Sequence, residues 1–415
     1  MTSPLRIAID ARGARGQHGG IETIVQGLCF GLAGLDDGDE EYLLFTGSEL
    51  VPLPRPYDHR VLSRTVMRGN DSLKGRVAQK APWIRELYVR LEGALARRPP
   101  GVRRSNGILE RGRADVVHFT RQQALLTDVP SIYQPHDLQH RHLPEFFDAR
   151  TITERDEQYL AYARQAALVV VASSWVRDDV IAQLDLAPEG VRVVPWAAIL
   201  PAYPPSTAAE LEVLRSRFGL PEEFVLYPAQ TWPHKNHAVL VRAVARLRTD
   251  GIDVPLVFPG RMTAHADVVA REAANLGVTD LVHFLGFVDD SDLRALYGLS
   301  RVVAVPSAFE ASSLPLFEAF EAGVPSIASD ATSLPAQVSD GALVVPVGDE
   351  VALAEALERL LTDEALREAL TARAAVRGRD FSWTRTARLF RALYREIGGT
   401  LTDEDCDLLA EASPI

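Results

Sequence analysis

Residues 302–330 read VVAVPSAFEASSLPLFEAFEAGVPSIASD, and the reading of this stretch decides the fold. Val302 to Pro306 is an apolar run closed by a proline, the pattern of a buried strand. A loop of small residues follows and holds one carboxylate, Glu310. A helix is expected from about Leu314 to Ala322, stopped by Gly323 and Pro325. A second short strand occupies Ser326 to Ala328. Strand, loop, helix, strand is the repeat of a parallel α/β sheet, whose ligands gather at loops of this kind. Glu310 lies in the loop and Glu318 on the first turns of the helix, seven residues between them, so both can face one cleft. A helix N-terminus attracts anions. An acid pair there points to hydroxyl groups held beside a phosphate.

The alternation extends in both directions. Upstream, a strand at Phe224 to Pro228 runs into AQTWPHKNH (229–237) and a helix from His237 to Thr249. A strand at Pro255 to Pro259 leads to a loop at Gly260 and Arg261. Further strands are expected at Val282 to Phe284 and Leu343 to Val345, with helices at Val268 to Leu276, Asp290 to Leu299 and Glu350 to Leu361. The first half alternates likewise. Its strands are Leu5 to Asp10, Tyr42 to Thr46, Ala114 to Phe119, Ser131 to Gln134, Leu168 to Ala172 and Val191 to Pro195. Its helices are Glu22 to Ala33, Thr151 to Arg164 and Trp175 to Gln183, the last with Ser173 or Ser174 as N-cap.

At 415 residues the chain exceeds one ordinary core,. The expectation is an α/β protein of two Rossmann-like, doubly wound domains facing each other across a cleft. Residues 1–198 form the first and 199–380 the second, with a Pro-rich linker or hinge at 198–206. Residues 381–398 are read as a C-terminal helix crossing back to the first domain, and 399–415 as a loosely held acidic tail.

The net charge of −12 argues against a nucleic-acid binder,. Its distribution says more. From Arg60 to Arg113 there are fourteen Lys/Arg against four Asp/Glu, a local excess of +10 that leaves −22 for the rest,. Within that region Trp83, Ile84, Leu87, Tyr88, Leu91, Ala94 and Leu95 recur at helical spacing, flanked by Arg85, Arg90, Arg97 and Arg98. This is either a packed helix with a solvated charged face or a surface for anionic lipid headgroups. Arg103, Arg104, Arg111 and Arg113 extend the patch. Cys29 and Cys406 form no framework or metal pattern. MTSPLRIAIDARG enters a strand without the apolar core of a signal peptide, and no run of eighteen apolar residues exists. A cytoplasmic protein is expected, peripheral on the inner membrane face in the lipid-binding version.

Two further loops carry candidate chemistry. After the first strand, RGARGQHGGIET (12–23) places Gly19 and Gly20 before a helix start. That is either an approach for a phosphate or a tight turn that needs glycine. After the strand at Ser131, PHDLQHRHLPEFF (135–147) holds His136, Asp137, His140 and His142 within seven residues. Metal is one reading of that spacing. A histidine at a strand end that touches substrate is the other.

Taken together, Gly19-Gly20, His136-Asp137 with PEFF, His234-Lys235-Asn236 and the acids Glu310 and Glu318 followed by AFEAGVPSIASD resemble glycosyltransferase family 4. These are retaining nucleotide-sugar transferases of the GT-B fold. The resemblance spans nearly the whole chain and is weakest over 55–115. It implies a hexosyltransferase moving a sugar, mannose among the candidates, from a GDP- or UDP-linked donor to a glycan or lipid-linked acceptor. No separate cofactor and no metal is implied. It implies that Lys235 neutralises the donor diphosphate, that Glu310 binds sugar hydroxyls near the reacting carbon, and that Glu318 binds the ribose. The amides of Ser312, Ser313 and Leu314 would hold phosphate or sugar, and His136 would hydrogen-bond the sugar, with Asp137 orienting it or touching the acceptor. The loop holding Phe287 and Val288 would line the base. Many relatives carry an arginine before the lysine, as G-R-x-x-x-K-N. This chain has Ala229-Gln230-Thr231 there, so Lys235 works with Gln230 or with a basic residue from elsewhere, such as Arg261. A non-catalytic nucleotide-sugar-binding subunit and another GT-B enzyme, such as an epimerase, are the alternative readings.

Overall fold

The computed structural model of this protein describes residues 4–12, 20–45 and 101–411, with the backbone of one strand at 62–65. Gly19 and the expected basic helix at 83–95 lie outside the described residues. The chain divides into two compact units, Met1–Pro195 with Thr384–Pro414, and Trp196–Trp383.

The first unit is built on seven strands: β1 (Arg6–Asp10), β2 (Glu41–Phe45), β3 (Leu62–Thr65), β4 (Val116–Phe119), β5 (Ser131–Tyr133), β6 (Leu168–Val171) and β7 (Val191–Val193). Their order is β3-β2-β1-β4-β5-β6-β7, and every pairing is parallel. Runs such as LVVV in β6, buried at every position, suit a sheet covered on both faces. The pattern of VLSRTV gives no strand signal, so β3 is an addition to the sequence reading. Ser173 is the N-cap of the helix Ser174–Leu184, accepting from the Val176 N–H,.

The second unit carries β8 (Val225–Leu226), β9 (Leu256–Pro259), β10 (Val282–Gly286), β11 (Val302–Val305), β12 (Ser326–Ser329) and β13 (Leu343–Val345), in the order β10-β9-β8-β11-β12-β13. All are parallel. The helix Leu314–Ala322 buries Leu316, Phe317, Ala319 and Phe320. It closes at Gly323, whose φ of +69° provides the left-handed turn that helix ends favour,.

In each sheet the order of strand addition therefore reverses once, between β1 and β4 in the first and between β8 and β11 in the second. Doubly wound sheets bind ligands at such switch points, beyond the C-terminal strand ends. Those ends are residues 10–12, 119–121 and 134–137 in the first unit, and 227–237, 259–263 and 305–313 in the second.

Two expectations are corrected. The Pro-rich stretch 198–206 is fixed to the second unit: Ile199 and Leu200 are buried, the Tyr203 hydroxyl donates to Asp290 Oδ2 at 2.6 Å, and Arg294 donates to the Leu200 carbonyl. Its apolar residues have a core to enter, which proline content alone does not reveal. The acidic tail is not loose either. It forms a helix, Asp403–Glu411, anchored by Asp405, which accepts from Arg395 Nη1 at 3.0 Å and from the Thr402 hydroxyl at 2.7 Å. Arg395 belongs to the helix Trp383–Gly398, which packs in the first unit. There Arg391 forks onto Asp37 at 2.8 Å and 2.9 Å, Arg395 binds Glu40 at 2.6 Å, and Tyr394 meets buried His118 at 2.7 Å.

Candidate active site

In the second unit, the loop after β8 and the loop after β11 meet at the switch point. Asn236 takes a left-handed φ of +57°, a conformation asparagine tolerates better than most residues. Its side-chain amide donates to the Pro306 carbonyl at 3.3 Å. The Ala308 N–H donates to the His234 carbonyl at 2.7 Å. So held, Lys235 Nζ donates to Glu310 Oε1 at 2.6 Å. The carboxylate is 9% exposed and the lysine side chain 22%. Ser307 Oγ also donates to Glu310 Oε1 at 2.7 Å, and the Tyr227 hydroxyl, 2.7 Å from Ser307 Oγ, lies beneath. Two residues 75 apart in sequence thus form one charge pair at the strand ends.

The loop after β12 supports the pair. Thr332 Oγ1 accepts from the Glu310 N–H at 3.0 Å and donates to the Glu310 carbonyl at 2.6 Å, while Ser333 Oγ donates to the same carbonyl at 2.8 Å. Gln337 treats Ser313 likewise, accepting from its N–H at 2.8 Å and donating to its carbonyl at 2.7 Å. The Ser313 amide, expected to face a ligand, is therefore committed inside the protein. Of the three expected amides, those of Ser312 and Leu314 are left at the open start of the helix, where intrahelical acceptors are absent.

Glu318 is buried and accepts from the Tyr297 hydroxyl at 2.7 Å. Burial pushes its carboxyl up to about 7, against the lowering effect of that hydrogen bond and with a further raise from Asp290,. It is half protonated near neutrality. His234 and His237 go the other way. Burial first, then the neighbouring Lys235 ammonium, lowers each to about 3, so Lys235 is flanked by neutral rings.

The loops after β8 and β9 are clamped together. Thr231 Oγ1 accepts from the Thr263 N–H at 2.8 Å, and Thr263 Oγ1 donates to the Thr231 carbonyl at 2.5 Å. Gly260, with φ +141°, sits so close that a Cβ there would lie 2.4 Å from the Ala229 carbonyl oxygen. Gln230 Oε1 accepts from Trp232 Nε1 at 3.1 Å. Arg261 is exposed. Beyond β10, Phe287 is 58% exposed and Val288 packs partly on the core.

In the first unit, the ends of β1, β4 and β5 converge. Arg12 forks onto buried Asp10 at 2.8 Å and 2.6 Å. The Thr120 hydroxyl donates to the Asp10 carbonyl at 2.5 Å, and Arg121 donates to the Arg12 carbonyl. His136 is buried with a φ of +68°. Its Nε2 lies 2.9 Å from the Thr120 carbonyl; a carbonyl can only accept, so Nε2 carries the proton. Burial lowers His136 to about 4, and the ring is neutral at pH 7. Asp137 Oδ1 accepts from the Gln139 N–H at 3.0 Å, bracing the turn that follows. The remaining histidines of the cluster diverge: His140 meets Asp156 at 3.0 Å and His142 meets Asp179 at 2.9 Å, on two different helices. Gly20 opens the helix Gly20–Ala33.

These features can be set beside known proteins. The family model for glycosyl transferases group 1 matches residues 213–377, and that for Glycosyltransferase Family 4 matches residues 18–197. The D-inositol 3-phosphate glycosyltransferase of Corynebacterium aurimucosum is 30% identical over 288 residues, covering 65% of this chain and 67% of the relative. The chain belongs to glycosyltransferase family 4. This family 4 glycosyltransferase is also similar to O-antigen chain mannosyltransferase B of Escherichia coli, at 27% identity over 300 residues, 67% of this chain and 79% of the relative. In fold it matches Anabaena Alr3699/HepE, crystallised with UDP-glucose, at a TM-score of 0.68 and 18% identity over 96% of this chain and 100% of that one. The two parallel sheets are those of a GT-B enzyme.

Sequence reasoning missed the support of this glycosyltransferase's site: Ser307, Thr332, Ser333 and Gln337 around Glu310, and the Thr231–Thr263 clamp. One signal was available. Thr332 and Ser333 lie just beyond β12, at the same edge as every other site loop, in a run of small polar residues.

Proposed function

We propose that this glycosyltransferase transfers a hexose, mannose in our reading, from a nucleoside-diphosphate donor to a hydroxyl of a glycan or lipid-linked acceptor, with retention at the anomeric carbon. The carrying observation is the Lys235–Glu310 pair at the switch point of the second sheet. It offers an ammonium for the leaving diphosphate beside a carboxylate for sugar hydroxyls. In the proposed step the bond from the anomeric carbon to the diphosphate oxygen breaks, and the nucleoside diphosphate leaves with the electron pair. The acceptor oxygen bonds the same face, and its proton passes to the departing phosphate oxygen. The protein positions the sugar and stabilises charge on the leaving group. Lys235 serves the phosphate, Glu310 the sugar hydroxyls, Glu318 the ribose, and the Ser312 and Leu314 amides the phosphate edge. Phe287 and Val288 border the base. In the first unit, which we assign to the acceptor, neutral His136 serves the sugar and Asp137 the acceptor side.

The mannosyltransferase relative supports mannose, and the UDP-glucose bound to the fold neighbour supports a nucleotide sugar. Nucleotide release from GDP-mannose, UDP-glucose and ADP-glucose tests the donor, and the anomer of the released sugar, read by NMR, tests retention. The expected outcome is release from GDP-mannose that Glu310→Gln lowers by about 10²–10³-fold while nucleotide binding persists. Equal, negligible turnover in both proteins would sink the assignment. We also propose that the basic segment 60–113 brings the enzyme to an anionic membrane surface, supported by its +10 charge,. Among the described residues no helix is long and apolar enough to cross a membrane. Co-sedimentation with vesicles, with and without anionic lipid, checks the peripheral contact; pelleting that ignores lipid charge would refute it.

A further inference from the structure

The charge at the proposed donor site does not balance. A nucleoside diphosphate bears at least two negative charges next to Lys235, whose own charge is already matched by Glu310 at 2.6 Å. The arginine that the family pattern puts four residues before the lysine falls on Thr231. That residue is buried, and its N–H, hydroxyl and carbonyl are all taken: they bond the Arg261 carbonyl at 3.3 Å, the Thr263 N–H at 2.8 Å and the Thr263 hydroxyl at 2.5 Å. The stand-in Gln230 is neutral, and its Oε1 is held by Trp232.

We propose that Arg261 supplies the missing guanidinium, reaching the donor diphosphate from the neighbouring strand's loop. This rests on the reading of the donor as a nucleoside-diphosphate sugar. The clamp explains how. Because the Thr231 N–H donates to the Arg261 carbonyl, the backbone of 261 lies one hydrogen bond from the position that the G-R-x-x-x-K-N pattern gives to arginine. Gly260 permits that approach, since any side chain there would strike the Ala229 carbonyl. The guanidinium of Arg261 is exposed and makes no hydrogen bond or ion pair among the described residues. Other arginines of the same unit are engaged: Arg242 with Glu350, Arg248 with Asp280, Arg377 with Asp380. A guanidinium fork matches two phosphate oxygens at once. The same side chain position carried on a different loop would preserve the charge while freeing Thr231 to act as a clamp.

The test is calorimetric titration of wild type, Arg261→Ala and Arg261→Lys with GDP and GMP, and with UDP and UMP. A charge-assisted phosphate contact predicts that Arg261→Ala weakens the diphosphate by about 10- to 100-fold, and the monophosphate far less. Arg261→Lys should recover part of the loss, and the melting temperature should stay unchanged, because the side chain supports nothing in the fold. Undiminished diphosphate affinity in Arg261→Ala overturns the proposal, as does an equal loss for diphosphate and monophosphate. Failure of the wild type to bind any of the four nucleotides overturns the donor reading beneath it instead.

Discussion

The Lys235–Glu310 pair makes an asymmetric prediction about stability. Lys235→Ala strips the cation from a carboxylate that is 9% exposed and, among the described residues, leaves it only the Ser307 hydroxyl. Glu310→Gln removes the charge, but the amide oxygen can still accept from Ser307, and the stranded ammonium, on a side chain 22% exposed, can turn to water. Exposed ion pairs contribute about 0–1 kcal/mol, whereas removing one partner of a fully buried pair costs about 3–5 kcal/mol. With one partner nearly buried and the other partly wet, Lys235→Ala should cost about 2 kcal/mol and Glu310→Gln about 1 kcal/mol. The double variant leaves no charge to strand. It should cost about 1.5 kcal/mol rather than the sum of 3, a coupling of about 1.5 kcal/mol. For a unit of this size Lys235→Ala should lower the melting temperature by about 4–8 °C. The assay is thermal and urea unfolding of the four proteins in one buffer, with activity alongside. All three variants should lose about 10²–10³-fold in turnover, whatever their stability. Additive stabilities, within about 0.5 kcal/mol, would refute the reasoning: the two charges would then not sense each other, and the geometry that carries the proposed function would be absent in solution.

Three further outcomes follow from single residues. Gly260→Ala should destabilise the second unit by about 2–3 kcal/mol, from a strained φ and a Cβ driven into the Ala229 carbonyl, and should weaken nucleotide binding; urea unfolding and titration read both. His136→Ala should lower turnover by about 10²-fold. Because burial holds His136 near 4, the wild-type and variant rate profiles should run parallel between pH 6 and pH 8. Glu318 is raised to about 7 when folded, so the folded protein binds its proton more tightly than the unfolded chain does. Its contribution is fully present below about pH 4.5 and is lost as pH rises through about 7, a swing of about 3 kcal/mol, and the wild-type minus Glu318→Gln difference in unfolding free energy should fall by that order across the window. The buried histidines, lowered to about 3 to 4, act oppositely and cancel in that difference.

The family, the α/β class and the two sheets were legible because their signals are local. VVAVP ends in a strand breaker, small residues make the loop, and Gly323 stops the helix where the pattern says it should. Lys235 and Glu310 could be named as candidates for the same reason. Their mutual contact could not, because it depends on β8 and β11 being neighbours in the sheet while β9 and β10 intervene in sequence. The Thr231–Thr263 clamp is hidden in the same way: it joins the ends of two strands whose pairing no periodicity encodes. The tail shows the limit of composition. TLTDEDCDLL reads as solvated because its acids dominate, yet Asp405 is buried on Arg395, whose other carboxylate, Glu40, lies 355 residues away. Of the run Ser312 to Leu314, the Ser313 amide is held by Gln337, a partner 24 residues on that no local pattern reveals, since a side chain can occupy a helix-start amide as readily as a ligand can.

The hydrogen bonds that shape the second unit's site run between loops more than within them. His234 is tied to Ala308, Thr231 to Thr263, Glu310 at both its N–H and carbonyl to Thr332, and Ser313 at both to Gln337. Each joins the ends of different strands, so the sheet fixes the spacing of the loops and the cross-ties fix their orientation. That arrangement suits the proposed reaction, in which no protein nucleophile takes part. When catalysis rests on dipoles and charges aimed at a leaving group, their value lies in being held before the reaction begins, because groups that need no reorganisation stabilise the transition state more than the ground state. In the proposed reaction the Lys235–Glu310 pair would be the resting form of such a device. On the proposed mechanism each charge would keep the other in place until phosphate and sugar hydroxyls took over the two contacts, and the neutral rings of His234 and His237 add no competing charge on either side.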